Sequence, residues 1–425
     1  MIKTIKAENY NAERVVHGVA PAEITKAVAE IIAGVLDRGD EALREYTKRF
    51  DGCFMSAFEV PQPEIDAAVH AVDPEFIGVM ERAAKNIENF HRNQIREGFT
   101  ITPGEGVLLG QRVLPLRRVG VYVPSGTAAY PSTVLMNCIP AKLAGVSEII
   151  MTTPPSKDGR VDPNILAAAK IAGADRVFAI GGAQAIAALA YGTESIPRVD
   201  KITGPGNAYV AEAKRQVFGV VGIDMIAGPS DILVIADRNA DSKLIAADML
   251  SQCEHGADSP AILVTDSTEL AEKVSMEIET QLEALPRAGI AREAVENHGR
   301  IIIAGSLEQA FEIANDIAPE HLEIFLGDPL KHLDNVRNAG SVFLGENTPE
   351  ALCDYYAGPN HTLPTSGTAR FSSPLSVDDF VKKSSFAYYS AEALKEASAD
   401  IIHFAEKEGL TAHAMSVAKR LGDRG

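Results

Sequence analysis

Gln252 and His255 in SQCEHG, Asp354 in ALCDYYAGPNH and His413 in EGLTAHAMS are four side chains able to donate to a metal. Two imidazoles, a carboxylate and an amide oxygen form a nitrogen and oxygen set suited to zinc or a neighbouring divalent cation. It lacks the thiolates of a structural zinc knot, so a catalytic role fits it better. Gln252 and His255 stand three apart on DSKLIAADMLSQCEHG, which reads as a helix opened by Asp241 or Ser242 and stopped by Gly256. That spacing places them on one helical face. The same pair at a helix end also serves as an ordinary capping or solvated pair, and spacing does not separate the two readings.

A second chemistry-bearing pair is Glu320 and His321. Pro319 suits the first position of a helix, so the sequence predicts that both fall in a first helical turn, pointing about 100° apart into one site. A histidine near neutral pKa is a fitting base for an alcohol proton, and a carboxylate can activate water. The plain alternative is that Glu320 favours the helix dipole while His321 packs. Cys253 and Cys353 stand beside the proposed ligands as potential thiol nucleophiles, although a buried cysteine is commonly a small hydrophobe.

The elements that must hold these residues alternate. Apolar, β-branched runs at residues 119–123, 148–153, 177–180, 232–236, 261–265, 301–304 and 341–344 read as strands, separated by helical patterns. Such βα alternation predicts an α/β protein with two open parallel-sheet (Rossmann-like) domains. Amphipathic helices fill the first hundred residues, and the tail again reads as helical, so helical N-terminal and C-terminal extensions are expected. The expected division is an N-terminal helical arm at 1–24 and a first α/β domain at 25–118 and 231–372 that carries most metal and catalytic residues. A second α/β domain follows at 119–230, with a helical tail at 373–425.

Composition bounds the function. The chain has 425 residues, 46% hydrophobic and 23% charged, with a formal charge of −18. A nucleic-acid binder needs a basic surface, which this chain lacks. No apolar run of about 20 residues and no apolar signal core occur, so neither membrane nor export is expected, and a cytoplasmic location is. The four cysteines form no CxxC pair and are expected as free thiols. The nearest dinucleotide turn, Gly204-Pro205-Gly206-Asn207-Ala208-Tyr209, lacks the third glycine of G-x-G-x-x-G.

SQCEHG, APEHLEI at 318–324, AGPNHTLPTSGTARFSSPL at 357–375 and KITGPGNAYVAEAKRQV at 201–217 resemble histidinol dehydrogenase, in the same order and over essentially the whole chain. The resemblance implies a zinc- and NAD-dependent oxidation of L-histidinol through the aldehyde to L-histidine, the last step of histidine biosynthesis. It implies Gln252, His255, Asp354 and His413 as zinc ligands, and Tyr122, Gln184 and Asn207 as NAD contacts. Ser230, His361 and Glu408 join the ligands and His321 in contacting substrate. His321 would take the alcohol proton and Glu320 would activate water. The resemblance also implies a homodimer in which the terminal segment, with Glu408 and His413, completes the partner's site. Two other readings compete: a relative acting on another alcohol, such as a diol sulfonate, and a zinc hydrolase in which Glu320 activates water.

Overall fold

A computed structural model of the chain describes residues 1–10, 20–125 and 129–422. Its strands are, in chain order, β1 (Lys3–Lys6), β2 (Phe99–Gly104), β3 (Val107–Pro115), β4 (Arg118–Tyr122), β5 (Glu148–Thr153), β6 (Arg176–Ala179), β7 (Lys201–Thr203), β8 (Gly222–Ile223), β9 (Ile232–Ala236), β10 (Ala261–Thr265), β11 (Arg300–Ile303), β12 (His321–Phe325), β13 (Ser341–Leu344) and β14 (Val381–Tyr389). By packing, they fall into two compact units.

The first unit comprises Met1–Gln94 and Leu116–Phe380 and holds two parallel sheets. One has the order β1-β11-β10-β9-β12-β13 and the other β6-β5-β4-β7-β8. The fold is therefore α/β with open parallel sheets. Strand β9, ILVIA, is buried along its whole length, as a central parallel strand covered on both faces must be. Its residues alternate between two cores: Ile232, Val234 and Ala236 meet the helix Ser242–Cys253, while Leu233 and Ile235 meet the helix Leu307–Ile317.

The helices Ala22–Arg38, Asp40–Phe50, Gln62–Ala71 and Pro74–His91 share one core with β4–β7, joining Val28, Leu43 and Ile87 to Val119, Ile149 and Phe178. This differs from the division expected from sequence, which put 25–118 with 231–372. The N-terminal arm, expected to be helical, instead supplies β1, an edge strand parallel to β11. Residues 11–19 of that arm lie outside the described residues.

The second unit comprises Ile95–Pro115 and Val381–Gly425. Its antiparallel sheet, ordered β14-β3-β2, was not expected from the sequence. Strand β14 is exposed over nearly all its length, so it carries no hydrophobic alternation to betray it. The helices Ala391–Lys407 and Thr411–Leu421 follow, as the tail's periodicity predicts.

Candidate active site

His321 sits on a strand, not in a helix, and Glu320 lies in the bend just before it. The helix Leu307–Ile317 ends at Ala318, whose φ of 54° is left-handed, and Pro319 then cannot continue it. His321 opens β12, which fills the slot between β9 and β13. The expectation of a first helical turn fails because HLEIF is fully buried, a demand that only a central strand meets here.

Parallel pairing with β9 sets the chemistry of this pair. The carbonyl of Asp231 accepts from the His321 backbone N–H at 3.2 Å and lies 2.8 Å from Nδ1. A carbonyl can only accept, so Nδ1 carries the proton and Nε2 of the neutral ring keeps its lone pair. Nε2 is buried and has no hydrogen-bond partner among the described residues. Glu320 accepts from the Ser230 hydroxyl and, at 3.1 Å, from the Asp231 N–H, while its own N–H donates to Asp231 Oδ1 at 2.6 Å. Burial pushes the Glu320 carboxyl up to about 8, with nearby His321 pulling the other way.

Asp354 approaches from a different element. The short helix Glu350–Leu352 widens into a π-turn at Cys353–Ala357, a distortion common at functional sites. Asp354 Oδ1 lies 3.9 Å from His321 Nε2, and Glu350 Oε1 lies 3.8 Å from the same atom. His321, Glu350 and Asp354 offer ligand atoms within 4.8 Å of one another. Of these three, only Asp354 belongs to the ligand set implied by the sequence. The Asp354 carbonyl faces His361 Nδ1 at 3.0 Å, and burial lowers the pKa of that imidazole.

These residues surround one cavity of roughly 280 Å³, whose wall includes Ser230, His255, Glu320, His321, Asp354 and His361. His255 follows the last turn of the helix Ser242–Cys253, which Asp241 caps through Lys243 N–H at 2.8 Å. His255 is exposed, yet the protein around it desolvates the ring enough to lower its pKa, against the pull of Asp354. Gln252, one turn back, is wholly buried, and neither amide atom is hydrogen-bonded among the described residues. An orphaned buried amide is costly, and a cation held with His255 and Asp354 would satisfy its oxygen, though not its N–H donors. The nitrogen and oxygen donors present therefore fit a borderline divalent metal.

Tyr122, Gln184 and Asn207 all lie at the carboxyl edge of the β4–β8 sheet, where open α/β sheets bind ligands. Tyr122 is buried at the end of β4, its hydroxyl oxygen accepting the Gly182 N–H at 3.1 Å; burial pushes its pKa up to about 12. Gln184 is buried in the first turn of the helix Gly182–Tyr191, its Oε1 without a partner among the described residues. Asn207 caps the helix Ala208–Val217 by accepting from Tyr209 and Val210 N–H. Capping consumes its oxygen and leaves its amide N–H groups to donate. The turn between β7 and this helix lines the cavity with Gly204, Pro205 and Gly206. Gly204 has a φ of 110°, and a Cβ there would overlap the Tyr122 carbonyl oxygen. Gly204→Ala is expected to cost roughly 2–6 kcal/mol in urea unfolding, from strain plus overpacking.

Glu408 and His413 belong to the second unit, exposed at an apolar groove of about 380 Å³ lined by Ile401, Phe404, Ala405 and Leu410. Two residues that sequence reading missed, Asp231 and Glu350, adjoin the site. Asp231 directly follows Ser230, and Glu350 precedes Asp354 by four residues, which was the available signal. The thiols are poor nucleophiles: burial pushes Cys253 up to about 12 and Cys353 up to about 11.

Parallel α/β sheets with a buried imidazole base beside a buried carboxylate, and helix amino termini at one sheet edge, define an α/β enzyme with acid–base chemistry. The sequence pattern of histidinol dehydrogenases matches residues 17–421. Histidinol dehydrogenase of Clostridium acetobutylicum is 55% identical over 95% of this chain and 94% of its own length. That of Bacillus cereus is 56% identical over 93% of this chain and 92% of its own. The crystal structure of histidinol dehydrogenase from Elizabethkingia anophelis superposes with a TM-score of 0.92 at 40% identity, covering 99% of this chain and 98% of that one. The chain belongs to the histidinol dehydrogenase family.

Proposed function

We propose that the chain oxidises L-histidinol through L-histidinal to L-histidine, using NAD and a divalent zinc ion. The observation that carries this reading is the His321 imidazole, fixed through Nδ1 so that its free Nε2 lone pair meets the cavity beside Glu320. His321 Nε2 takes the hydroxyl proton as the alcohol is oxidised. Glu320 takes a proton from water as the water oxygen bonds to the aldehyde carbon; Ser230 and the Asp231 N–H hold its carboxylate in place. NAD, when bound, accepts the hydride in each oxidation. Tyr122, Gln184 and Asn207 would contact it: the unpartnered Gln184 oxygen and the uncommitted Asn207 amide N–H groups support this assignment.

Gln252, His255 and Asp354 would hold the zinc together with His413. The bound metal supplies substrate orientation and polarises the reacting oxygen. Ser230, His361 and Glu408 would complete the substrate pocket, with Asp354 favouring a cationic amino alcohol. A homodimer accounts for the second unit, where Ile101, Tyr388, Tyr389 and Phe404 are exposed large apolar residues that a second copy would cover. In such a dimer Glu408 and His413 would serve the partner's site.

The test is anaerobic turnover of purified protein with L-histidinol and NAD, quantifying NADH and histidine. Two NADH per histidine are expected, lost on metal stripping and restored by zinc. NADH without histidine would point to another alcohol as substrate. No NADH from zinc-loaded protein would overturn the reading and favour a hydrolase, which has no use for NAD.

A further inference from the structure

We propose that Lys214 and Asp224 are positioning residues that lock the cofactor-side turn at residues 204–207 to the adjoining cavity wall at residues 224–230. Their side chains are 2% and 1% exposed and form an ion pair with each other. Both also line the cavity. Lys214 Nζ donates to the Gly204 carbonyl at 3.0 Å, and Asp224 Oδ2 accepts the Gly204 N–H at 2.8 Å. One buried pair thus consumes both peptide groups of a single glycine. The other Asp224 oxygen accepts the Met225 N–H at 2.6 Å, tying down the segment that leads to Ser230.

The bonding pattern points to conformational specification. A buried ion pair is weak support for stability, because desolvation offsets its attraction and apolar replacements of like volume often serve as well. Here every strong bond of the pair goes to backbone that forms the cavity. Gly204 holds a φ of 110°, and Gly206 packs so closely on Val210 that a Cβ would overlap it. The turn has no slack, and its carbonyl and N–H are fixed by charges at both ends. Lys214 also lies on the helix that Asn207 caps, so the pair sets where the Asn207 amide presents its remaining donors.

The cofactor part of this inference rests on NAD binding at Asn207, whereas the lock itself does not. The experiment compares wild type with Lys214→Met/Asp224→Asn, which removes both charges and leaves neither stranded. Lys214→Leu/Asp224→Asn, which likewise leaves no charge stranded, serves if the first double variant fails to fold. Hydrogen exchange read by mass spectrometry is expected to show lost protection confined to residues 203–207 and 224–228, with the β9–β12 core unchanged. In turnover assays KM for NAD is expected to rise at least about tenfold and by more than KM for L-histidinol, with metal content nearly unchanged, as expected for lost uniform binding. Unchanged or uniformly lowered protection overturns the lock. Localised loss with KM for NAD unmoved overturns the cofactor role. If wild type itself forms no NADH from L-histidinol, the proposed function fails, and hydrogen exchange still decides on the lock.

Discussion

His321→Asn abolishes alcohol oxidation in practical terms, lowering kcat by about 10²- to 10⁴-fold, the contribution expected of a positioned general base. Asparagine is the informative replacement because its amide N–H can still donate to the Asp231 carbonyl, as Nδ1 does at 2.8 Å. The buried pocket keeps a polar side chain with a partner, so the variant should fold. What disappears is the Nε2 lone pair, the one acceptor of this ring that nothing else uses. KM for NAD should stay within about a few fold, since Tyr122, Gln184 and Asn207, the proposed NAD contacts, lie at the edge of another sheet. Stopped-flow NADH formation from L-histidinol measures the step directly. A variant retaining more than about a tenth of wild-type kcat would remove His321 from the role of base.

That this imidazole stands on a strand was not legible. HLEIF contains two polar residues in five, and Pro319 before it mimics a helix start. The strand is tolerated because each polar side chain finds a partner for one of its atoms: His321 Nδ1 uses the Asp231 carbonyl, and Glu323 accepts the Glu350 N–H at 3.0 Å. The purely apolar runs were legible for the opposite reason. ILVIA and AILVT are buried on both faces between helices, and β-branched continuity is what such positions demand. Strand β14 escaped because VKKSSFAYY buries no face within its own unit. At the site, spacing showed only the Gln252 and His255 pair. Asp354 reaches His321 by a π-turn, which no helical periodicity encodes, and Asp231 acts mainly through its backbone, where side-chain identity leaves no trace.

Glu320→Gln separates the two oxidations. Glutamine keeps the shape of the side chain, and its oxygen can still accept from Ser230 or the Asp231 N–H, so the buried network loses basicity before it loses structure. The wild-type carboxyl is raised to about 8 by burial, which makes its carboxylate a stronger base toward water than an exposed glutamate. Oxidation of supplied L-histidinal should therefore fall by about 10²- to 10⁴-fold, while His321 still accepts the proton of the alcohol. With L-histidinol as substrate, rapid quench should then reveal about one NADH per site with little histidine formed, in place of the ratio of two. Retention of two NADH per histidine at an unslowed rate would assign water activation elsewhere, and Glu350, a buried carboxylate 3.8 Å from His321 Nε2, would be the group to replace next.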